Sequence, residues 1–346
     1  MTESSPAAPR ISNLSLAVFA APAAPLLALS LPVIIFLPPY FASHLGVPLW
    51  AVTAIFLGAR LFDILIEPGL VGLPDRTEPR FGRRRLWLAV GCPPLMALIW
   101  LVFMGLASGV SVWFAGLAVF AMYLAYATMM VAHLGWAGEL IPTYHGRTHV
   151  LGAVQTASMV GQALMLVIAG YVVQVGGGDN GAAVRAMGWT LILLLPITTL
   201  MAVLLVRETR HPPQPHLGFR ATIKTIVDNK ACRRVLLPDL LLGVAQGVSG
   251  GLFLWFFQFV LGFEREAQTL LAIYFIAGLA GVPIWWVAAR KLGKHRALQA
   301  AMIYTALTTG LLFVLPPGDC HLAAPFMVAA GLAQGGSVRR TRSLLG

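Results

Sequence analysis

Arg60, Asp63 and Glu67 lie three and four residues apart in a run, Leu49 to Leu73, that is otherwise almost wholly apolar. On a helix, residues at these spacings share a face. At about 100° per residue the three side chains fall within roughly 60° of one another. Two carboxylates beside a guanidinium can take up and release a small cation or a proton. Their proton affinities depend on one another and on their surroundings, so the pair titrates jointly. A structural pairing of Arg60 with Asp63 is the plainer reading of the same residues, and the two are not exclusive.

The elements that must hold these groups are apolar and long. The chain has 346 residues, 58% hydrophobic and 11% charged, with mean hydropathy +0.80. Soluble domains carry about 25% charged residues, so the composition predicts an all-α, polytopic helical membrane bundle. Ten apolar runs stand out: Leu14–Ala42, Leu49–Leu73, Leu86–Leu106, Val112–Leu140, Val150–Val175, Met187–Val206, Val235–Leu261, Thr269–Ala289, Ala297–Leu315 and a shorter Leu322–Val338. Each approaches the ~20 residues that cross a hydrocarbon core. The first is too long for a removable signal, whose apolar core is ~7–15 residues. Pro22, Pro25 and Pro32 predict that it kinks. Gly161 and Gly170 in the fifth run, and Gly243, Gly247, Gly250 and Gly251 in the seventh, predict close helix approach or bending.

The net charge of +11 is not a nucleic-acid footprint, because the basic residues fall in short segments between apolar runs. With the N-terminus in the cytoplasm, only Arg60, Arg185 and Arg265 of the 24 Lys and Arg lie elsewhere than on the cytoplasmic side. That asymmetry is the positive-inside signal and predicts a multi-pass protein of the inner cell membrane. Five arginines crowd residues 76–85, between the second and third runs, and seven basic residues lie in 207–234. The expected division is a six-helix bundle over 1–206, a cytoplasmic central loop over 207–234 and a partial second bundle over 235–346. An internal echo supports it. Arg80-Phe-Gly82-Arg-Arg-Arg85 follows the second run, and Lys291-Leu-Gly293-Lys-His-Arg296 follows the eighth, 211 residues later. Repeats of this kind build many secondary transporters.

These residues also carry a resemblance. Gly72-x-x-Asp75-Arg76 with Gly82-Arg83-Arg84 resembles the loop signature of the major facilitator superfamily. The longer pattern from Arg60 through Asp63, Glu67-Pro68, Gly72, Asp75-Arg76, Arg80 and Gly82-Arg83-Arg84-Arg85 to Trp87 resembles the glycoside–pentoside–hexuronide:cation symporters, the melibiose permease type. Val131-Ala-His-Leu-Gly-Trp-Ala-Gly-Glu139-Leu140 is similar to that family's Ile-Pro-Tyr-x-Ala-Leu-x-x-Glu-Leu segment. The resemblance implies a major facilitator fold and a cation- or proton-coupled symporter, sugar-like by family. It places the coupling-ion carboxylates at Asp63 and Glu67. It also implies twelve helices, so about ten predict an incomplete second bundle and a truncated product.

Departures from the family's pattern shape the expectation. Where its sodium site has Asn and Thr, this chain has Ile66 and Ala127. Sodium needs several hard oxygens at once and a proton needs one carboxylate, so H+ is favoured over Na+, with no cofactor. A sugar-binding Asp is Met130 here, no acid lies between Glu3 and Asp63, and the helix 5 Arg falls near Val154, beside Gln155. A more apolar solute than a sugar fits these losses. A lysolipid carrier and a non-transporting remnant stay open.

Candidate path residues are Tyr123, Tyr126, His133, Trp136, Gln155, Gln246 and Gln258, with simple packing as the alternative for the aromatic ones. His133 is either a proton relay or a hydrogen-bonded packing residue. Glu139, near Arg147, is expected to brace helix against loop. Asp239 is read as a helix N-terminal acid. Cys92, Cys232 and Cys320 form no disulfide or metal pattern. A phosphate-binding Gly-x-x-x-x-Gly-Lys loop is absent from the sequence, and no nucleophile–base spacing stands out, so an enzyme is not expected. The expected partners are the lipid bilayer and a small solute, with no nucleic acid, for a monomeric carrier.

Overall fold

The computed structural model describes residues 12–75, 82–141, 144–208, 228–229, 241, 244, 256–263, 267–311 and 320–337. They form α1 (Asn13–Ser43), α2 (Leu49–Asp75), α3 (Arg83–Gly105), α4 (Val112–Leu140), α5 (Tyr144–Gln174), α6 (Asn180–Leu205), a π turn (Phe256–Val260), α7 (Ala267–Leu292), α8 (Lys294–Leu311) and α9 (Cys320–Ser337). Five helices, α1, α3, α4, α5 from His149 to Val173, and α6, are long and apolar enough to cross a membrane among the described residues. Shorter apolar stretches, Leu49–Phe62, Thr269–Trp285 and Ala323–Ala333, lie in α2, α7 and α9. Most of the seventh run, with Asp239 and its four glycines, lies outside the described residues, as does Cys232.

Prolines break α1 where the sequence predicts. Helical turns cover Asn13–Ala20 and Ala23–Ala28, and a π turn covers Pro32–Phe36. Proline removes a backbone donor and strands a carbonyl one turn earlier. At the second break the Ser30 hydroxyl donates to the Leu27 carbonyl at 2.7 Å. Ser12 caps the start, its Oγ accepting from the Ser15 amide at 3.1 Å. Fully buried Phe19, Phe36, Phe41, Phe103 and Trp136 anchor the main core. A second cluster joins Phe257, Phe263, Leu270 and Met327, with Ile35 of α1 packed against it. Large apolar side chains remain exposed outside, among them Leu57, Leu61, Trp113, Leu193 and Leu204. On a membrane protein that is the hydrocarbon-facing surface.

Two helices begin earlier than their apolar runs. α5 starts at Tyr144 rather than Val150, and α6 at Asn180 rather than Met187. Polar turns extend a helix past the hydrocarbon when a cap supports them. For α6 the cap is Asp179, whose Oδ1 accepts from the Ala182 amide at 2.8 Å. Arg185 therefore sits in the helix, not in an outer loop.

The internal echo appears in the backbone. Gly82 and Gly293 have φ +101° and +80°, a region that L side chains avoid. Each stands one residue before a helix and accepts its first bond, from Leu86 at 3.2 Å and from Ala297 at 3.1 Å.

Helix contact relies on small residues. A Cβ on Gly161 of α5 would overlap the Ala24 carbonyl of α1, and one on Gly331 of α9 the Tyr274 carbonyl of α7. Trp285 Nε1 of α7 donates to the Leu332 carbonyl at 2.8 Å. Gly170 differs from expectation: its nearest neighbour would be Thr269 Oγ1 at 3.9 Å, an ordinary contact. Gly161→Val is therefore expected to destabilise the protein by about 1–3 kcal/mol. Gly170→Ala should change stability by less than roughly 0.5 kcal/mol. Thermal unfolding in detergent checks both.

Candidate functional site

A cleft opens beside the second break of α1. Leu29, Ser30 and Val33 line it from α1, Arg60 from α2, and Met122, Tyr123 and Tyr126 from α4. With the open space at its mouth it holds about 270 Å³. Arg60 is the twelfth of the 27 residues of α2, so it stands near the middle of that helix. Its guanidinium lies over the Tyr123 ring, Cζ 5.8 Å from the centroid, within cation–π range. Tyr123 and Met122 are buried, and Tyr126 is half-buried. Arg60, which is exposed, and the two tyrosines thus border a cleft whose walls are mainly apolar.

The remaining candidates are placed as follows. Asp63, Glu67 and Gly72 belong to α2 and Asp75 ends it, but their side chains lie outside the described residues, as do Ile66, Arg76 and Arg80. Gln246 also lies outside them. Gln258 belongs to the π turn Phe256–Val260, its side chain likewise not described. Gln155 is half-buried on α5.

His133 and Trp136 are not in the cleft. Both are 0% exposed. The His133 ring stacks on Phe19 with centroids 5.0 Å apart and planes at 19°. Trp136 meets Phe19 edge-on at 5.1 Å. Contrary to the hydrogen-bonded packing role expected of His133, neither of its ring nitrogens has a hydrogen-bond partner, and neither has Trp136 Nε1.

A second polar cluster lies where α3 begins. Arg83, Arg84 and Arg85 form its first turn rather than a loop. Arg83 Nη2 and Arg84 Nη2 donate to Glu139 Oε1 at 2.8 and 3.2 Å. This corrects the expected partner of Glu139: Arg147 is exposed. The end of α4 packs on the start of α3, and sequence adjacency does not reveal that contact. Glu208, unremarked in the sequence, accepts from the Arg84 and Arg85 amides at 3.0–3.1 Å. Arg85 Nη2 donates to the Val203 carbonyl of α6. A carboxylate at a helix N-terminus satisfies orphan N–H groups and the helix dipole. One glutamate from α4 and another just past α6 thus tie down α3.

At the opposite end of the bundle, His44 Nε2 meets Asp179 Oδ2 at 2.7 Å. The Asp179 carboxyl is held below its ordinary value of 3.8, first by the His44 hydrogen bond and then by the Ala182 amide. A lowered carboxyl contributes stability above its unfolded pKa. That contribution is lost as pH falls through the folded value, so the contact matters only on the acid side. An Asp before an apolar run is a helix-start signal that would have found it. Among the described residues no group of three or more His, Cys, Asp or Glu could hold a metal.

Kinked apolar helices around a mid-span cleft, with a basic cluster at one end, are the build of a multi-pass membrane transport protein. The chain belongs to the MFS/sugar transport protein family, whose model matches residues 18–345. It is 22% identical over 258 residues to the inner membrane symporter YicJ of Escherichia coli K12, covering 72% of this chain and 55% of that protein. It is 23% identical over 256 residues to the lactose permease of Leuconostoc lactis, covering 68% and 39%. The chain thus spans about half the length of the curated relatives it matches. Its fold is similar to the crystal structure of a D-xylose–proton symporter, with TM-score 0.61 and 16% identity over 96% of this chain and 86% of that one. The xylose transporter XylE of E. coli, in a partially occluded inward-open conformation, matches with the same TM-score, identity and coverage.

The tie at α3 makes a graded prediction. Glu139→Ala leaves Arg84, whose side chain is 7% exposed, without its carboxylate and is expected to cost roughly 2–4 kcal/mol. Glu208→Gln keeps an acceptor oxygen for the α3 amides and should cost about 1 kcal/mol. Thermal unfolding of the two variants in detergent measures the order, and the reverse order would contradict the geometry.

Proposed function

We propose that the protein is a secondary active symporter of a small organic solute, with Asp63 and Glu67 carrying the coupling charge. The observation that carries this reading is the cleft of Arg60, Tyr123 and Tyr126, midway along α2, in a chain of a transport family. Asp63 and Glu67 follow Arg60 on the same stripe of α2, so a cation bound there is electrostatically linked to whatever the cleft holds. The arginine, serine and two tyrosines that line the cleft suit a small polar solute. The relatives named as a symporter and a lactose permease favour a sugar-like one.

The coupling ion in this reading is a proton. Ala127 is buried and offers only a methyl group where a sodium site needs an oxygen. The N-terminus is cytoplasmic, because the basic residues then gather inside. Rocking of the first bundle, 1–206, against the second exposes the cleft to each side in turn.

Uptake by the purified chain in proteoliposomes tests this with a sugar panel under an imposed pH or sodium gradient. The pH gradient is expected to drive accumulation and sodium to have no effect. Asp63→Asn with Glu67→Gln should abolish accumulation while leaving exchange. Full accumulation in the double variant would refute the carboxylates' role, and strict sodium dependence would refute the proton.

A further inference from the structure

Tyr126 and His133 are seven residues apart on α4, two turns along one face and about 10 Å in rise. The first lines the cleft and the second is sealed beneath it. What seals His133 is carbon: the Phe19 ring of α1 lies flat on the imidazole and edge-on to Trp136. Three polar atoms, both His133 nitrogens and Trp136 Nε1, are left without partners behind it. Buried polar side-chain atoms rarely lack a partner, and each that does costs stability. The face of Phe19 would attract an imidazolium, but by less than it costs to bury a charge with no acceptor. The seal is on an end segment. Phe19 belongs to the turns Asn13–Ala20, which end just before Pro22, where a backbone donor is missing. A swing of that segment off α5 and α6, which it packs against, would open the ring to water.

We propose that His133 is a proton-binding site of the transport cycle, loaded when segment Asn13–Ala20 carries Phe19 off the ring and emptied before it returns. The proposal rests on the transport reading and adds a coupling group to Asp63 and Glu67. In the open state a hydronium ion gives its proton to the unpartnered ring nitrogen and leaves water; the proton then passes to water on the opposite side of the membrane before Phe19 closes on the neutral ring. The ionisable groups on the surrounding helices are these. α1 has none before Tyr40. On α4, Tyr126 lines the cleft and Glu139 holds Arg83 and Arg84. On α3, the Arg84 guanidinium lies against Gly135, and Cys92 is buried with its thiol toward Met96. On α5, Arg147 and His149 are exposed. On α2, Arg60 lines the cleft, and the side chains of Asp63 and Glu67 lie outside the described residues.

The test reads the ring directly, without transport. Diethyl pyrocarbonate acylates neutral imidazole only, and mass spectrometry of the full chain in proteoliposomes gives the rate at His133. In the wild type, labelling is expected to be slow and to fall as pH drops through the histidine range, roughly 7.5 to 5.5. Phe19→Ala should speed it at least about tenfold, the population change that 1.4 kcal/mol represents. A rate unchanged in Phe19→Ala, or independent of pH, overturns the site. In flux assays His133→Gln should flatten the pH dependence of solute uptake, which a merely structural role would not do. A wild-type pH profile in His133→Gln overturns the coupling role. If the wild type moves no solute at all, the transport reading fails, while the labelling still decides whether His133 takes a proton.

Discussion

The cost of leaving a charged or hydrogen-bonding group in hydrocarbon, about 2.5–3.5 kcal/mol for a central arginine, orders most of this structure. Arg60 meets it by turning from the apolar stripe of Leu57 and Leu61 to the ring of Tyr123 and the cleft beyond. The Leu27 carbonyl of α1 meets it through the Ser30 hydroxyl. At the basic end, Arg83 and Arg84 meet it on Glu139, and the open amides of α3 on Glu208. His133 and Trp136 do not meet it: neither ring nitrogen of His133 nor Trp136 Nε1 has a hydrogen-bond partner.

Where hydrophobicity alone decides, the sequence was a good guide. The fourth run and α4 share both ends, Val112 and Leu140, because the backbone leaves the helical region at Ser111 and at Ile141. The kinks of α1 follow from its prolines, and the repeated turns at Gly82 and Gly293 follow from a six-residue echo. The starts of α5 and α6 were less legible, since a capped polar turn adds helix without adding hydropathy. Glu139's partners were misread because they belong to a helix more than fifty residues away. Glu208 went unnoticed for the same reason. The cleft was half legible. Arg60 and the tyrosines were picked out by type, yet nothing in the spacing said that Tyr126 would face open space while His133 and Trp136, on nearby turns, would be sealed by Phe19.

The same features link fold to work. A helix in four pieces can bend at its joints while the close contact of Gly161 with Ala24 keeps its middle against α5. The glutamate ties hold α3, α4 and the end of α6 together at the basic end, so that part of the bundle moves as one body.

The central claim is that Arg60 of α2 faces the water-accessible cleft and not lipid. Spin labels at Arg60→Cys and Leu57→Cys, in a background without Cys92, Cys232 and Cys320, measure it most directly in bilayers. The account predicts that a water-soluble paramagnetic reagent relaxes the label at 60 and dissolved oxygen the label at 57. Oxygen-dominated relaxation at both positions would put Arg60 in hydrocarbon and contradict it.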